Sequence, residues 1–143
     1  MVRKNKINKL VIQTNALPSS SRWYPGAGIY RDVFVYIGGD KATGAGIEPG
    51  DVFVTTPTTE DVRAEVQVSA DKDTEAVLLV EIFDKFGQKA AEKQSKIQLT
   101  AHEKTMAKMK FRMENAFLWS QETPDLYTIK CTLTVNGVVT ACG

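Results

Sequence analysis

The sequence is poor in the residues that usually carry chemistry. It has one histidine, His102, and two cysteines, Cys131 and Cys142. A lone imidazole in a polar stretch completes neither a metal site nor a Ser-His-Asp set, and His102 reads as a surface residue. Two thiols with no imidazole near them fall short of the ligand set of a structural zinc site. Neither a metal nor a cofactor is therefore expected. The formal net charge is only +1, which provides no field to steer the chain toward nucleic acid or an anionic membrane surface. No apolar run approaches the roughly 18 residues of a membrane-spanning helix. The basic start, Met1 to Ile7, has no apolar stretch behind it and does not read as a signal peptide. Asn-x-Ser/Thr acceptor sites are absent. Gly44-Ala45-Gly46 has no third glycine in register and no helix after it, which excludes a dinucleotide-binding loop.

What the chain does have is alternation. A length of 143 residues allows one domain, or one domain with an appendage. From Asp51 onward apolar side chains recur with the period of half-buried strands. Val52 and Val54 alternate with Phe53 and Thr55, and Pro57 ends that strand. In the next, Val62, Ala64, Val66 and Val68 face one way and Arg63, Glu65, Gln67 and Ser69 the other. Asp71-Lys72-Asp73 is a turn, and Ala76 to Asp84 is a third strand with Leu78, Val80 and Ile82 inward. After a turn at Lys85-Phe86-Gly87-Gln88, the stretch Lys89 to Glu92 has helical propensity, but strand signals on both sides favour a strand or an edge. Ile97 and Leu99 mark a separate short strand. Met106 to Met113 forms another, with Met109, Phe111 and Met113 on one face as core filler and Lys108, Lys110 and Arg112 on the other.

The last hairpin runs from Leu126 to Val135 and from Val138 to Cys142, around Asn136-Gly137, a pair that favours a type I′ turn. Tyr127 sits early in the penultimate strand, where the corner tyrosine of an immunoglobulin domain sits. A two-residue turn there places Cys131 directly opposite Cys142. That position is a hydrogen-bonded pair with Cα atoms roughly 5.5 Å apart. It is within disulfide reach, yet a bridge there strains the hairpin, and the pair reads as two buried thiols. About seven short strands with turn signals between them predict an all-β fold, an immunoglobulin-like antiparallel β-sandwich over residues 51–143.

Ahead of this, residues 38–50 are glycine-rich and read as a linker. Ile7 to Thr14 reads as a strand, with Leu10 and Ile12 on one face and Val11 on the other. Arg3, Lys4, Lys6 and Lys9 around it read as a solvated flank. The densest run of the chain follows: Ser19-Ser20-Ser21-Arg22-Trp23-Tyr24-Pro25-Gly26-Ala27-Gly28-Ile29-Tyr30-Arg31-Asp32-Val33-Phe34-Val35. Pro25 fixes φ, and Gly26 and Gly28 open backbone angles closed to other residues, so this loop holds a specific shape. Ile29, Val33 and Val35 read as a strand leaving it.

That run resembles the last loop and strand of the N-terminal sugar-binding domain of glycoside hydrolase family 2, the β-galactosidase-like enzymes. A second stretch, Glu114-Asn115-Ala116-Phe117-Leu118-Trp119-Ser120-Gln121-Glu122-Thr123-Pro124-Asp125-Leu126-Tyr127, is similar to the "N…LWS-x-E-x-P-x-LY" segment late in that family's immunoglobulin-like second domain. The two occur in the family's order. The resemblance implies that residues 1–37 are a two-strand C-terminal remnant of the jelly-roll sugar-binding domain, 38–50 a linker, and 51–143 the second domain. It also implies that the acid/base and nucleophile glutamates lie on a (β/α)8 barrel beyond this chain, which is then a fragment of a larger enzyme.

Retaining glycoside hydrolysis needs two carboxyls about 5 Å apart. Asp32, Glu60, Asp61, Glu65, Glu81, Asp84, Glu114, Glu122 and Asp125 fall mostly on solvent-facing strand positions or turns, in no motif that pairs them. No catalytic residue is expected here. By the resemblance, the loop at Ser21 to Tyr24 approaches the barrel's substrate pocket, so Arg22 and Trp23 are nominated as lying near a sugar. Some members carry an acidic residue in that loop where this chain has serines and an arginine, so the nomination is of a location and not of a role. Phe117, Leu118 and Trp119 are too apolar to be left in water; by the resemblance, their loop covers the end of the sandwich and helps seat it against neighbouring domains.

The function expected is architectural: a non-catalytic piece that joins the sugar-binding domain to the barrel. Its partners are those two domains of the parent chain and a carbohydrate near Arg22 and Trp23, with neither nucleic acid nor membrane. Surface that the absent domains cover would promote self-association. The resemblance points to a bacterial-type parent, cytoplasmic or periplasmic. β-Galactosidase, β-glucuronidase and β-mannosidase share this architecture, and the SRWYPG-GIYR form resembles the galactosidase branch. A different reading is a free-standing carbohydrate-binding module with Trp23, Tyr24 and Trp119 as its stacking platform. A plain adhesion sandwich is a third, against which the truncated tail argues.

Overall fold

The computed structural model describes residues 6–15, 28–29, 32–33, 39–40, 42–48 and 50–142, with only the backbone of Ala141 and Cys142. The chain divides into two units, Met1–Val35 and Tyr36–Gly143. In the first, the described residues carry no strand. Ile7 is fully exposed, and Leu10, Val11, Ile29 and Val33 are all at least half exposed. The strand expected over Ile7 to Thr14 is therefore not formed, and Ile29 and Val33 are not in a ladder. Alternation alone does not make a strand: the ladder needs a partner and the apolar face needs something to bury against. The described residues of this unit provide neither.

The second unit is the sandwich. Its strands are β1 (Val52–Thr55), β2 (Asp61–Ser69), β3 (Thr74–Phe83), β4 (Lys89–Leu99), β5 (Lys104–Arg112), β6 (Thr128–Val135) and β7 (Val138–Cys142). All pairings are antiparallel, in a three-stranded sheet ordered β1-β2-β5 and a four-stranded sheet ordered β4-β3-β6-β7. Among the described residues there is no helix. In the constant-type immunoglobulin arrangement the fourth strand pairs with the fifth; here it pairs with β3.

The alternation reads directly into the core. Ala64, Val66 and Val68 of β2, Leu78 and Val80 of β3, and Leu133 and Val135 of β6 are all buried, in one cluster shared by the two sheets. Met109, Phe111 and Met113 join it, as their spacing predicts. On the outer face of β2 and β5, Glu65 sits in register with Lys108 and pairs with it at 3.1 Å. Such exposed cross-strand pairs contribute only about 0–1 kcal/mol, so the sandwich rests on its apolar faces. No buried polar side-chain atom among the described residues lacks a partner.

Two details depart from the sequence reading. The stretches expected as a strand or edge at Lys89 to Glu92 and a separate strand at Ile97 and Leu99 are one continuous strand, β4. Lys93, Gln94, Ser95 and Lys96 interrupt the apolar pattern but not the ladder, because β4 is a sheet edge and both of its faces tolerate polar residues there. Its lysines also discourage pairing with another chain. Lys89 bridges Glu92 at 2.7 Å and Glu81 at 3.0 Å, and these two carboxylates, Glu92 first, hold its ammonium above the ordinary lysine pKa.

The second departure is a bulge in β7. Asn136 and Gly137 both have positive φ, 51° and 75°, as a type I′ turn requires. Val135 pairs with Val138 and Thr134 with Val139, but Leu133 then pairs with Ala141, which leaves Thr140 as the extra residue. The Thr140 hydroxyl donates to the Leu133 carbonyl at 3.2 Å. The shift places Cys142 opposite Thr132, so the expected Cys131 and Cys142 pairing is not the register formed. Cys131 is buried; the Cys142 side chain lies outside the described residues.

The glycine-rich stretch ahead of β1 is packed rather than loose. Ala45 is fully buried and belongs to the core cluster. Gly46 pairs with Ser69, and the Asp71 and Lys72 N–H groups both donate to the Thr43 carbonyl. His102 is exposed, as its polar setting predicts, and holds φ at 63° while its N–H donates to the Ala70 carbonyl.

Candidate functional site

One end of the sandwich is open. β1 stops at Thr55, and Pro57 has no N–H with which to continue a ladder. The chain then turns at Thr58, whose hydroxyl oxygen accepts from the Asp61 N–H at 3.0 Å. Across from it β5 ends at Arg112, the Met113 N–H donates to the Glu60 carbonyl at 2.7 Å, and Asn115 turns the chain outward at φ 57°. Between these ends lies a groove of about 740 Å³ whose walls are mainly apolar, among them Val54, Pro57, Val62, Ile82, Met113 and Leu126.

The loop from Asn115 to Leu126 forms the rim, and three fastenings hold it. The Phe117 N–H donates to the Tyr127 hydroxyl at 2.8 Å. That bond reaches ten residues upstream, farther than the few residues a corner tyrosine spans, so Tyr127 fastens the rim loop rather than closing a corner. Ser120 and Thr123 close a small turn: the Ser120 N–H donates to the Thr123 carbonyl at 2.9 Å, and the Thr123 N–H donates to the Ser120 hydroxyl oxygen at 3.0 Å. Finally, Asp125 pairs with Lys85 at 2.8 Å. Phe117 also meets Phe86 edge to face, with ring centroids 5.9 Å apart.

Between the first two fastenings Leu118 and Trp119 are 55% and 64% exposed. Both side chains line the groove without closing it. The loop is anchored at Phe117 and Ser120, and no described element lies over the two residues between. Arg22, Trp23 and Tyr24 lie outside the described residues.

Electrostatically the groove is nearly neutral. Among the described residues Asp125 is its one charged lining residue, and that carboxylate is ion-paired. Hydrolysis of a glycosidic bond takes two carboxyl groups across one bond, and the groove has one. Among the described residues no three His, Cys, Asp or Glu side chains converge on a point where a metal ion would sit. What the site offers is apolar contact area with an exposed tryptophan at its rim.

Sequence reasoning found Trp119 and Tyr127 but missed the groove, together with Lys85 and Phe86. The signal for the groove lay at strand ends: Val54 has inward parity yet is 40% exposed, because β1 ends one residue later and no described residue covers it. Lys85 gave no local signal, since its partner Asp125 is 40 residues away.

Residues 46–142 match the sequence profile of the glycosyl hydrolases family 2. A beta-galactosidase of Bacteroides ovatus is 26% identical to this chain over 121 residues, which is 80% of this chain and 14% of that protein. Among solved structures, a glycosyl hydrolase family 2 member from Bacteroides cellulosilyticus superimposes with a TM-score of 0.61 at 26% identity, over 69% of this chain and 14% of its own. A beta-glucuronidase of Bacteroides uniformis superimposes with a TM-score of 0.65 at 19% identity, over the same shares, a likeness of fold. The chain thus spans 14% of the length of each of these relatives.

Proposed function

This chain belongs to the glycosyl hydrolases family 2, and from that premise we propose that it is a non-catalytic part of a β-galactosidase-like enzyme that hydrolyses O-glycosidic bonds. Its immunoglobulin-like domain runs to the end of the chain and takes in the packed stretch ahead of β1 that carries Ala45 and Gly46, and residues 1–37 are the tail of a preceding sugar-binding domain. The sandwich joins that domain to a catalytic barrel and holds the two in register. Arg22 and Trp23 lie near the substrate in the assembled enzyme.

The observation that carries this reading is the apolar end of the sandwich. Exposed apolar side chains gathered in one place mark an interaction surface, and aromatic residues are enriched at the centres of interfaces. Val54, Phe117, Leu118, Trp119 and Leu126 line the groove at this end, each at least 40% exposed. A sugar needs converging polar partners; among the described lining residues the Asp125 carboxylate is committed to Lys85, and the Thr58 and Tyr127 hydroxyls accept from the Asp61 and Phe117 N–H groups. A folded neighbour fits better.

The test is the size and activity of the natural polypeptide. An antibody raised to this chain should detect, in extract of its source cells, a protein several times larger than 15.8 kDa. The immunoprecipitate should hydrolyse a nitrophenyl β-galactoside faster than the matching glucuronide or mannoside. A sole band at 15.8 kDa overturns the reading. The exposure of Trp119 favours a second reading, a free-standing carbohydrate-binding module. Saturable quenching of tryptophan fluorescence by galactosides below millimolar concentration would establish it; the architectural role predicts none.

A further inference from the structure

We infer that Lys85 is a charge-dependent latch that fixes the pose of the aromatic loop at the open end of the sandwich. The inference concerns contacts within this chain and does not rest on what covers the groove. Lys85 leaves from a stiff base. In the turn from Asp84 to Gln88, the Asp84 carboxylate accepts from the N–H groups of Phe86 and Gln88, both at 2.8 Å. The Asp84 N–H donates to the Gln88 carbonyl at 2.9 Å, and the Gly87 N–H donates to the Asp84 carbonyl at 3.0 Å. From that base the Lys85 Nζ reaches three groups at once. It lies 2.8 Å from Asp125 Oδ2, 4.6 Å from the centre of the Phe117 ring and 5.1 Å from the centre of the Phe86 ring.

Each of these contacts depends on the positive charge. The carboxylate attracts it by Coulomb's law, and the ring faces attract it through their quadrupoles. The pair is partly withdrawn from water, with side-chain exposures of 32% for Lys85 and 19% for Asp125, so the attraction is only partly screened. Phe117 is thereby held twice, at its ring by Lys85 and at its N–H by Tyr127. Leu118 and Trp119 follow directly from this doubly held residue. One cation so ties the turn between β3 and β4 to the rim of the groove.

The experiment is residue-resolved amide hydrogen exchange on the full chain. The Phe117 N–H reports the loop, and the Leu78 N–H, in the central strand β3, reports global opening. Lys85→Met keeps the long apolar stem and removes the charge; it should speed exchange at Phe117 about tenfold relative to Leu78. Lys85→Arg keeps the charge and should restore Phe117 to within about threefold of the parent chain. On the parent chain, added salt should speed Phe117 selectively, a measurement that needs no variant to fold. Unchanged exchange at Phe117 in Lys85→Met overturns the latch. So does a rise shared equally with Leu78, a failure of Lys85→Arg to restore protection, or insensitivity of the parent chain to salt.

Discussion

Leu78 and Leu79 are neighbours on the central strand β3, with the same side chain and ladders on both sides. Leu78 lies between Ser95 and Leu133, and Leu79 between Gln94 and Thr132. They differ in the face they occupy: Leu78 is fully buried, whereas Leu79 is partly exposed on the outer face. Leu78→Ala removes three carbons, which forfeits about 2 kcal/mol of transfer free energy. With two flanking strands locked in register, the site cannot collapse, and the cavity raises the cost to about 3–4 kcal/mol. Leu79→Ala loses only partial burial and should cost about 1 kcal/mol. With a urea slope of about 1.5 kcal/mol per molar for a domain of this size, the midpoints should fall by about 2 M and about 0.7 M respectively. Urea titrations followed by far-UV circular dichroism read both directly. Equal losses, or a larger loss at Leu79, would refute the assignment of faces and with it the register of the four-stranded sheet.

Two further outcomes follow from single contacts. Tyr127→Phe removes the acceptor of the Phe117 N–H without opening a cavity; it should cost about 1 kcal/mol by urea titration and leave the chain folded. Gly44→Ala places a methyl group onto the Asp71 carboxylate and 2.9 Å from the Asp71 Cβ, at a φ of +69° that disfavours a side chain. It should lower stability by about 1–3 kcal/mol, seen as a reduced thermal midpoint.

Much of the fold was legible because most of it is made of strands buried on one face. β2, β3 and β5 each show their inward set as every second residue, and the structure buries that set. Asn136-Gly137 specified its turn through the positive φ that both residues adopt. The sequence was silent where another element decides. β4 hides its strand character because a sheet edge places no apolar demand on Lys93 to Lys96. The bulge at Thr140 rests on one side-chain bond to Leu133, and no pattern in β7 announces it. Ile7 to Thr14 alternates correctly and forms no strand, since nothing described pairs with it. At the open end, Trp119 and Tyr127 were visible as residue types in a family-like segment. The groove they border arises from where three strands stop, and Lys85 reaches it from a distant turn.

The strand order has a mechanical consequence. The sandwich begins with β1 at the edge of one sheet and finishes with β7 at the edge of the other. Tension along the chain therefore meets the Gly46–Ser69 bridge and the two peripheral ladders first, the ladders each with four register pairs. β2, β3, β5 and β6, which carry most of the buried cluster, are shielded until those ladders give way. Such a module yields by peeling its edge strands one at a time, and on release they can re-zip onto an intact centre.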